Sequence, residues 1–88
     1  MDIHIEFQEA KQAIDELTQR PSNEELLRLY GLYKQANFGN NNDEEPQGFD
    51  IKAIAKHRAW LDQSGKSAKD AMEEYVSVAH SLVEKYSG

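Results

Sequence analysis

Residues 22–36 have the sequence SNEELLRLYGLYKQA, which predicts a well-defined helix. Ser22 is a suitable N-cap, and Glu25, three residues later, gives the spacing of a capping box. Apolar residues then occur at intervals that place them on more than one side of the helix: Leu26, Leu27, Leu29, Tyr30, Leu32 and Tyr33. This helix therefore has apolar surface to bury in more than one direction.

Another helix is predicted before this segment, over about Ile5 to Gln19. Its apolar residues are spaced by three and four and form one stripe: Phe7, Ala10, Ile14 and Leu17. Pro21 disfavours helical geometry in Arg20, so we expect the first helix to end there.

Two further helices are predicted towards the C-terminus. Asp50 can cap a third helix from Ile51 to about Gln63. The residues expected to face inward are Ile51, Ile54, Ala55 and either Trp60 or Leu61. Ser67 and Asp70 have capping-box spacing at the start of a fourth helix that runs to about Tyr86. Its apolar stripe is Met72, Tyr75, Val76, Ala79, Leu82, Val83 and Tyr86.

A long loop is predicted between the second and third helices. Residues 37–48 are rich in Asn, Gly and acidic residues and lack apolar periodicity. The chain shows no strand pattern and no internal repeat, and 88 residues suit one domain. Because four amphipathic helices must bury their stripes against one another, we predict an all-α four-helix bundle spanning residues 1–88.

The composition excludes several classes of function. A net charge of −6 argues against nucleic-acid binding, which requires a surplus of Lys and Arg. The absence of cysteine rules out disulfides and thiol chemistry and suits a reducing compartment. No apolar stretch approaches the roughly 20 residues that a membrane span needs, and the N-terminus does not resemble a signal peptide. We therefore expect a soluble, cytoplasmic protein.

One helix face combines aromatic and cationic side chains. Tyr30, Tyr33 and Lys34 are spaced by three and four residues, and Lys52 and Lys56 are spaced by four in the third helix. If the two faces meet, they form an anion-binding pocket with aromatic walls, which suits a nucleotide. The alternative is that the tyrosines are ordinary core residues and the lysines are solvated.

Other chemistries find little support in the sequence. His4, His57 and His80 are far apart and form no metal-binding motif. No nucleophile motif accompanies a base, so we expect no enzyme activity. Gly31 lies inside the second helix, where we expect it to permit the close approach of another helix.

Residues 20–36 closely resemble the corresponding part of the acyl-CoA-binding protein family, and the Tyr-Lys-Gln-Ala segment 33–36 followed by Gly39 is especially specific. The similarity extends from Phe7 to Tyr86. Further matching positions are Pro46, Asp50, Ile51, Lys52, Ala55, Lys56, Ala59, Trp60, Ser67, Asp70, Ala71, Met72 and Tyr75.

The resemblance implies a bundle of up-down-down-up topology, with the long connection between the second and third helices. It implies a carrier that shields long-chain fatty acyl-CoA esters. We expect the protein to bind medium- to long-chain esters as a monomer, without enzyme activity, cofactor or metal. In that family's pattern, Tyr30, Lys34 and Lys56 surround the 3′-phosphate of CoA, Tyr33 stacks on adenine, and Lys52 and Tyr75 complete the pocket. The predicted ligand-binding residues are Tyr30, Gly31, Leu32, Tyr33, Lys34, Lys52, Lys56 and Tyr75.

The chain also departs from the family pattern. Asp15 and Ile54 stand where lysine is usual, Ala53 where glycine is frequent, and His57 where tryptophan is usual. Because Asp15 and Ile54 replace cations, we expect weaker or more salt-sensitive binding of the head group. Two alternatives are a diverged bundle that serves as a protein-interaction module and an accessory domain of an acyl-CoA enzyme.

Overall fold

The computed structural model describes residues 2–87, which form four α-helices and no strand. The helices are α1 (Ile3–Asp15), α2 (Asn23–Phe38), α3 (Ile51–Leu61) and α4 (Ala68–Tyr86). A loop over residues 39–50 joins α2 to α3. The predicted all-α, four-helix fold and its long central loop are therefore confirmed.

Polar side chains cap the start of each helix. At α2 the predicted capping box is present: the backbone N–H of Glu25 donates to Ser22 Oγ at 3.1 Å, and the backbone N–H of Ser22 donates to Glu25 Oε1 at 2.8 Å. Asp50 accepts from the backbone of Ala53 at 3.0 Å. These bonds satisfy amide groups that the helix itself leaves without partners, so they fix where α2 and α3 begin.

The predicted ends of α1, α3 and α2 were wrong. Helix α1 stops at Asp15 rather than Gln19, because the N–H of Leu17 turns back to the carbonyl of Ile14 and closes the helix in a tighter turn. Helix α3 likewise ends at Leu61 rather than near Gln63, whose N–H bonds to the carbonyl of Trp60 three residues earlier.

Helix α2 is longer than predicted, because Asn37 and Phe38 belong to it rather than to the loop. It ends where Gly39 adopts a φ of 75°, a conformation that residues with a side chain seldom take. The expectation that Ile51 faces inward was also wrong, since Ile51 is 79% exposed.

The core lies between α1, α2 and α4. Helix α4 packs against both α1 and α2, whereas α3 packs against α2. Burial of each large apolar side chain contributes about 1.5 to 3 kcal/mol relative to exposure. The buried cluster consists of Phe7, Ala10, Leu29, Leu32, Ala36, Ala71, Met72, Tyr75, Val76, Ala79 and Leu82.

Close contacts hold α3 against α2 and so position the residues of the site. A Cβ atom on Gly31 would lie 2.2 Å from the carbonyl oxygen of Ala59, which confirms the close approach predicted at this glycine. Trp60 Nε1 donates to the carbonyl of Gly39 at 2.8 Å, and Asn41 Nδ2 donates to the carbonyl of His57 at 3.0 Å.

Within residues 2–87, no helix is both long and apolar enough to cross a bilayer.

Candidate functional site

A hollow of about 710 Å³ opens between α2 and α3. Cationic side chains line it together with an aromatic ring and apolar residues, and Lys56 Nζ lies 5.4 Å from the ring centroid of Tyr30. The structure thus brings Tyr30, Lys52 and Lys56 to one hollow, so the two helix faces that carry aromatic and cationic residues meet here. The complete lining is Arg20, Asn23, Leu26, Leu27, Tyr30, Ile51, Lys52, Ala55 and Lys56.

A second hollow, of about 300 Å³, lies between α1, α2 and α4. Leu26 and Tyr30 belong to its wall and to the wall of the first hollow, so the two adjoin at these residues. The predicted face therefore does not border one cavity but two neighbouring ones. The second is lined by Lys11, Ile14, Leu26, Leu29, Tyr30, Tyr33, Lys34 and Tyr75.

Two of the aromatic rings that line the second hollow, those of Tyr33 and Tyr75, pack against the buried ring of Phe7. Phe7 stacks on Tyr33 with ring centroids 5.8 Å apart and meets the ring of Tyr75 edge-on at 5.0 Å. Burial of Tyr75, reinforced by the negative charge of Asp15, raises the pKa of its hydroxyl to about 12. Tyr75 therefore stays neutral and can offer its hydroxyl as a hydrogen-bond donor.

The cations of the second hollow rest on aromatic rings. Lys34 Nζ lies 4.4 Å from the ring centroid of Phe38 and 4.8 Å from that of Trp60. Lys11 Nζ lies 5.5 Å from the ring centroid of Tyr33 and also donates to Asp15 Oδ2 at 3.2 Å. These contacts keep the ammonium groups near the hollow.

Lys11 was missed by the sequence analysis. Its signal was present in the helical register, because Lys11 lies four residues after Phe7 and three before Ile14, on the same stripe. Asp15, four residues further on, partly neutralises it through an exposed ion pair. The carboxylate that departs from the family pattern thus sits next to a cation of the site.

Two predicted ligand-binding residues occupy other positions. Leu32 is fully buried in the core, and Gly31 is buried against Ala59 of α3. Neither lines either hollow in the described part of the chain. Both therefore support the site through packing, and their direct contact with a ligand stays a prediction.

The arrangement suits an amphipathic anion. Lysine and arginine side chains can form charge-assisted bonds to phosphate oxygens, and the tyrosine rings can stack on a planar base. Leucine, isoleucine and alanine side chains in the first hollow can cover an apolar tail. Between residues 2 and 87, no group of three or more His, Asp or Glu side chains is placed to hold a metal ion.

Comparison with known proteins identifies the family of the chain. A family model described as acyl-CoA-binding protein matches residues 4–79, and the chain belongs to the acyl-CoA-binding protein family. "Acyl-CoA-binding protein 2" of Saccharomyces pastorianus is 48% identical over 81 residues, which cover 92% of this chain and 93% of that relative. The predicted family resemblance is confirmed.

Solved structures show the same fold. The crystal structure of Oryza sativa Acyl-CoA-Binding Protein 2 matches with a TM-score of 0.91 and 37% identity, over 98% of this chain and 96% of that one. The solution structure of the acyl coenzyme A binding protein from yeast matches with a TM-score of 0.73 and 45% identity, over 93% and 95% of the two chains.

Proposed function

We propose that this protein binds fatty acyl-CoA esters reversibly and carries them, without acting on the thioester bond. The observation that carries the proposal is the pair of adjoining hollows that meet at Tyr30, each of which combines cationic, aromatic and apolar side chains. Family membership supports the same ligand class, because the relatives are named for acyl-CoA binding.

The head group is proposed to occupy the cationic part of the site. Lys56 and Lys52 approach from α3, and Lys34 approaches from α2, so a phosphate near Tyr30 would meet cations from both helices. Each charge-assisted hydrogen bond contributes roughly 1.5 to 3 kcal/mol. Such bonds would hold a polyanion even though the whole chain carries a net charge of −6.

The adenine ring is proposed to stack on Tyr33. One side of this ring already contacts Phe7, and Lys11 lies over the ring at 5.5 Å. An incoming base would therefore displace the Lys11 ammonium, which could then turn to a phosphate. Because Lys11 also pairs with Asp15, this exchange should depend on salt concentration.

The acyl tail is proposed to follow the apolar wall of the first hollow, where Leu26, Leu27 and Ala55 lie. Each methylene group removed from water contributes about 0.8 kcal/mol. Affinity should therefore rise with acyl length until the tail outgrows this wall. Head group and tail would make separable contributions to binding.

The proposal assigns the protein no catalytic step, and it places the carrier in the cytoplasm as a monomer. Incubation with palmitoyl-CoA should leave the thioester intact while it is bound, as measured by chromatography. Release of free CoA at a rate above that of buffer alone would show an enzyme instead. Fractionation of native cells would test the compartment.

Calorimetric titration tests the binding itself. We expect palmitoyl-CoA to bind much more tightly than either free CoA or palmitate, because only the ester fills both parts of the site. The variant Lys56→Gln should bind about 10- to 150-fold more weakly, since it loses a charged hydrogen bond. Lys69→Gln is the matched control, because Lys69 is an exposed residue of α4 that pairs with Glu73. Absence of heat with palmitoyl-CoA, or equal effects of the two variants, would contradict the proposal.

A further inference from the structure

Phe38 is an exposed aromatic residue whose contacts differ from those of the core. It is the last residue of α2, and 65% of its surface is accessible to solvent. Lys34 lies one turn earlier on the same helix, and its ammonium sits 4.4 Å from the centroid of the Phe38 ring and 4.8 Å from that of Trp60. We call the rings of Phe38 and Trp60 the aromatic clamp.

One side of the aromatic clamp is fixed and the other is adjustable. Trp60 is largely buried, and its indole N–H is anchored to the carbonyl of Gly39 at 2.8 Å. Phe38 is tilted by 57° against it, with the ring centroids 6.3 Å apart, and has solvent around most of its surface. The Lys34 ammonium lies within 5 Å of both ring centroids and so gains a cation–π contact with each ring.

The aromatic clamp lies beside the second hollow rather than inside it. Lys34 contributes to the wall of that hollow, but in the described part of the chain neither Phe38 nor Trp60 lines either hollow. The ammonium of Lys34 therefore rests at the edge of the site, where the two rings hold it.

A bound phosphate would compete with the rings for this ammonium. A cation–π contact at an exposed position favours the arrangement in which the ammonium lies on the ring by a factor of roughly 2 to 5. A charge-assisted hydrogen bond to an anion favours the arrangement in which the ammonium lies on the phosphate by a factor of roughly 10 to 150. The ammonium should therefore bind the phosphate and lose its contact with the rings.

We propose that Phe38 is a positioning residue that holds Lys34 in the aromatic clamp until an anionic head group binds, whereupon the ammonium moves from the rings to the phosphate. The inference rests on the proposed function, because the head group of acyl-CoA is the anion that releases Lys34. It assigns the exposed ring a role in setting affinity: the clamp stabilises the empty protein and so weakens ligand binding.

The position of Lys34 can be followed directly by NMR. In the unliganded protein the Cε protons of Lys34 should be shifted upfield by the two rings, and the shift should be smaller in Phe38→Leu. Saturation with palmitoyl-CoA should move these resonances of the wild-type protein back towards ordinary lysine values. Resonances that stay upfield at saturation would show that Lys34 remains on the rings, and they would overturn the inference.

Affinities in a double-mutant cycle provide the second test. We expect Phe38→Leu to bind palmitoyl-CoA roughly 2- to 5-fold more tightly than the wild type, while Phe38→Tyr, which keeps the ring, stays close to it. In a Lys34→Gln background the Phe38→Leu change should have no effect. Unchanged or weaker binding by Phe38→Leu, or the same effect in both backgrounds, would contradict the inference.

These results also separate the inference from the proposed function. Wild-type protein that binds palmitoyl-CoA while Lys34 stays on the rings would overturn the role of Phe38 alone. Wild-type protein that fails to bind palmitoyl-CoA would overturn the proposed function, and the release of Lys34 with it.

Discussion

Gly31→Ala is the substitution that most sharply tests how α2 and α3 are held together. The added Cβ atom would lie 2.2 Å from the carbonyl oxygen of Ala59 and 2.7 Å from its carbonyl carbon. An ordinary contact begins at about 3.4 Å, so the backbone of α3 must retreat by about 1 Å. Because these atoms belong to the backbone, a side-chain rotation cannot relieve the clash.

Two opposing contributions decide the size of the effect. Alanine inside a helix is favoured over glycine by about 1 kcal/mol. Overpacking costs typically 1 to 3 kcal/mol, and a backbone obstacle places this site at the upper end. We therefore expect the free energy of unfolding to fall by about 2 kcal/mol, which lowers the melting temperature of a domain of this size by about 10 °C.

Urea denaturation and calorimetric titration with palmitoyl-CoA would measure both consequences. Affinity should fall together with stability, because α3 carries Lys52 and Lys56 away from Tyr30. Gly65→Ala is a useful control, since a Cβ there meets no atom within 4 Å and only the positive φ of 91° is strained. It should lose stability without losing affinity. If Gly31→Ala were as stable as the wild type, the close packing of α2 on α3 would be refuted.

Two further outcomes are expected from the charged groups. Asp15→Lys should tighten palmitoyl-CoA binding at low salt, because it frees Lys11 and adds a cation, and the gain should shrink at high salt; calorimetry that finds no change would place this face of α1 outside the site. The ammonium of Lys85 and, after it, the hydroxyl of Tyr86 lower the pKa of Glu25 to about 2 from an ordinary 4.5. A carboxyl group whose pKa is lowered in the folded protein stabilises the fold at pH values above its ordinary pKa. This contribution is lost as the pH falls towards 2. Thermal unfolding should thus show Glu25→Gln to be less stable than the wild type at neutral pH but not near pH 2, and a constant gap would exclude this ion pair as the cause.

Local signals in the sequence were enough to predict the four helices and the start of α2. The side chain of Ser22 and that of Glu25 act on backbone groups within one turn, so their spacing alone identifies the capping box. Helix ends were harder to predict, because the tight turn after Asp15 and the extension of α2 to Phe38 depend on the path of the chain beyond each helix. The exposure of Ile51 likewise depends on α3 having α2 as its packing partner.

Part of the lining of the candidate site was predictable from the sequence, but its shape was not. Helical spacing places Tyr30, Tyr33 and Lys34 on one face, and the structure confirms that they share one hollow. Spacing cannot say that Tyr30 stands between two hollows, since that depends on how α3 lies against α2. It also cannot place the ammonium of Lys34 over Phe38 and Trp60, because a flexible side chain chooses among several rotamers.

Direct observation of the bound ligand would test the central claim most simply. In the protein saturated with palmitoyl-CoA, we expect contacts between the CoA moiety and the side chains of Tyr30, Lys52 and Lys56, detected as intermolecular NMR distances or in a crystal structure of the complex. A ligand found on another face of the bundle, with these three side chains still free, would contradict the account.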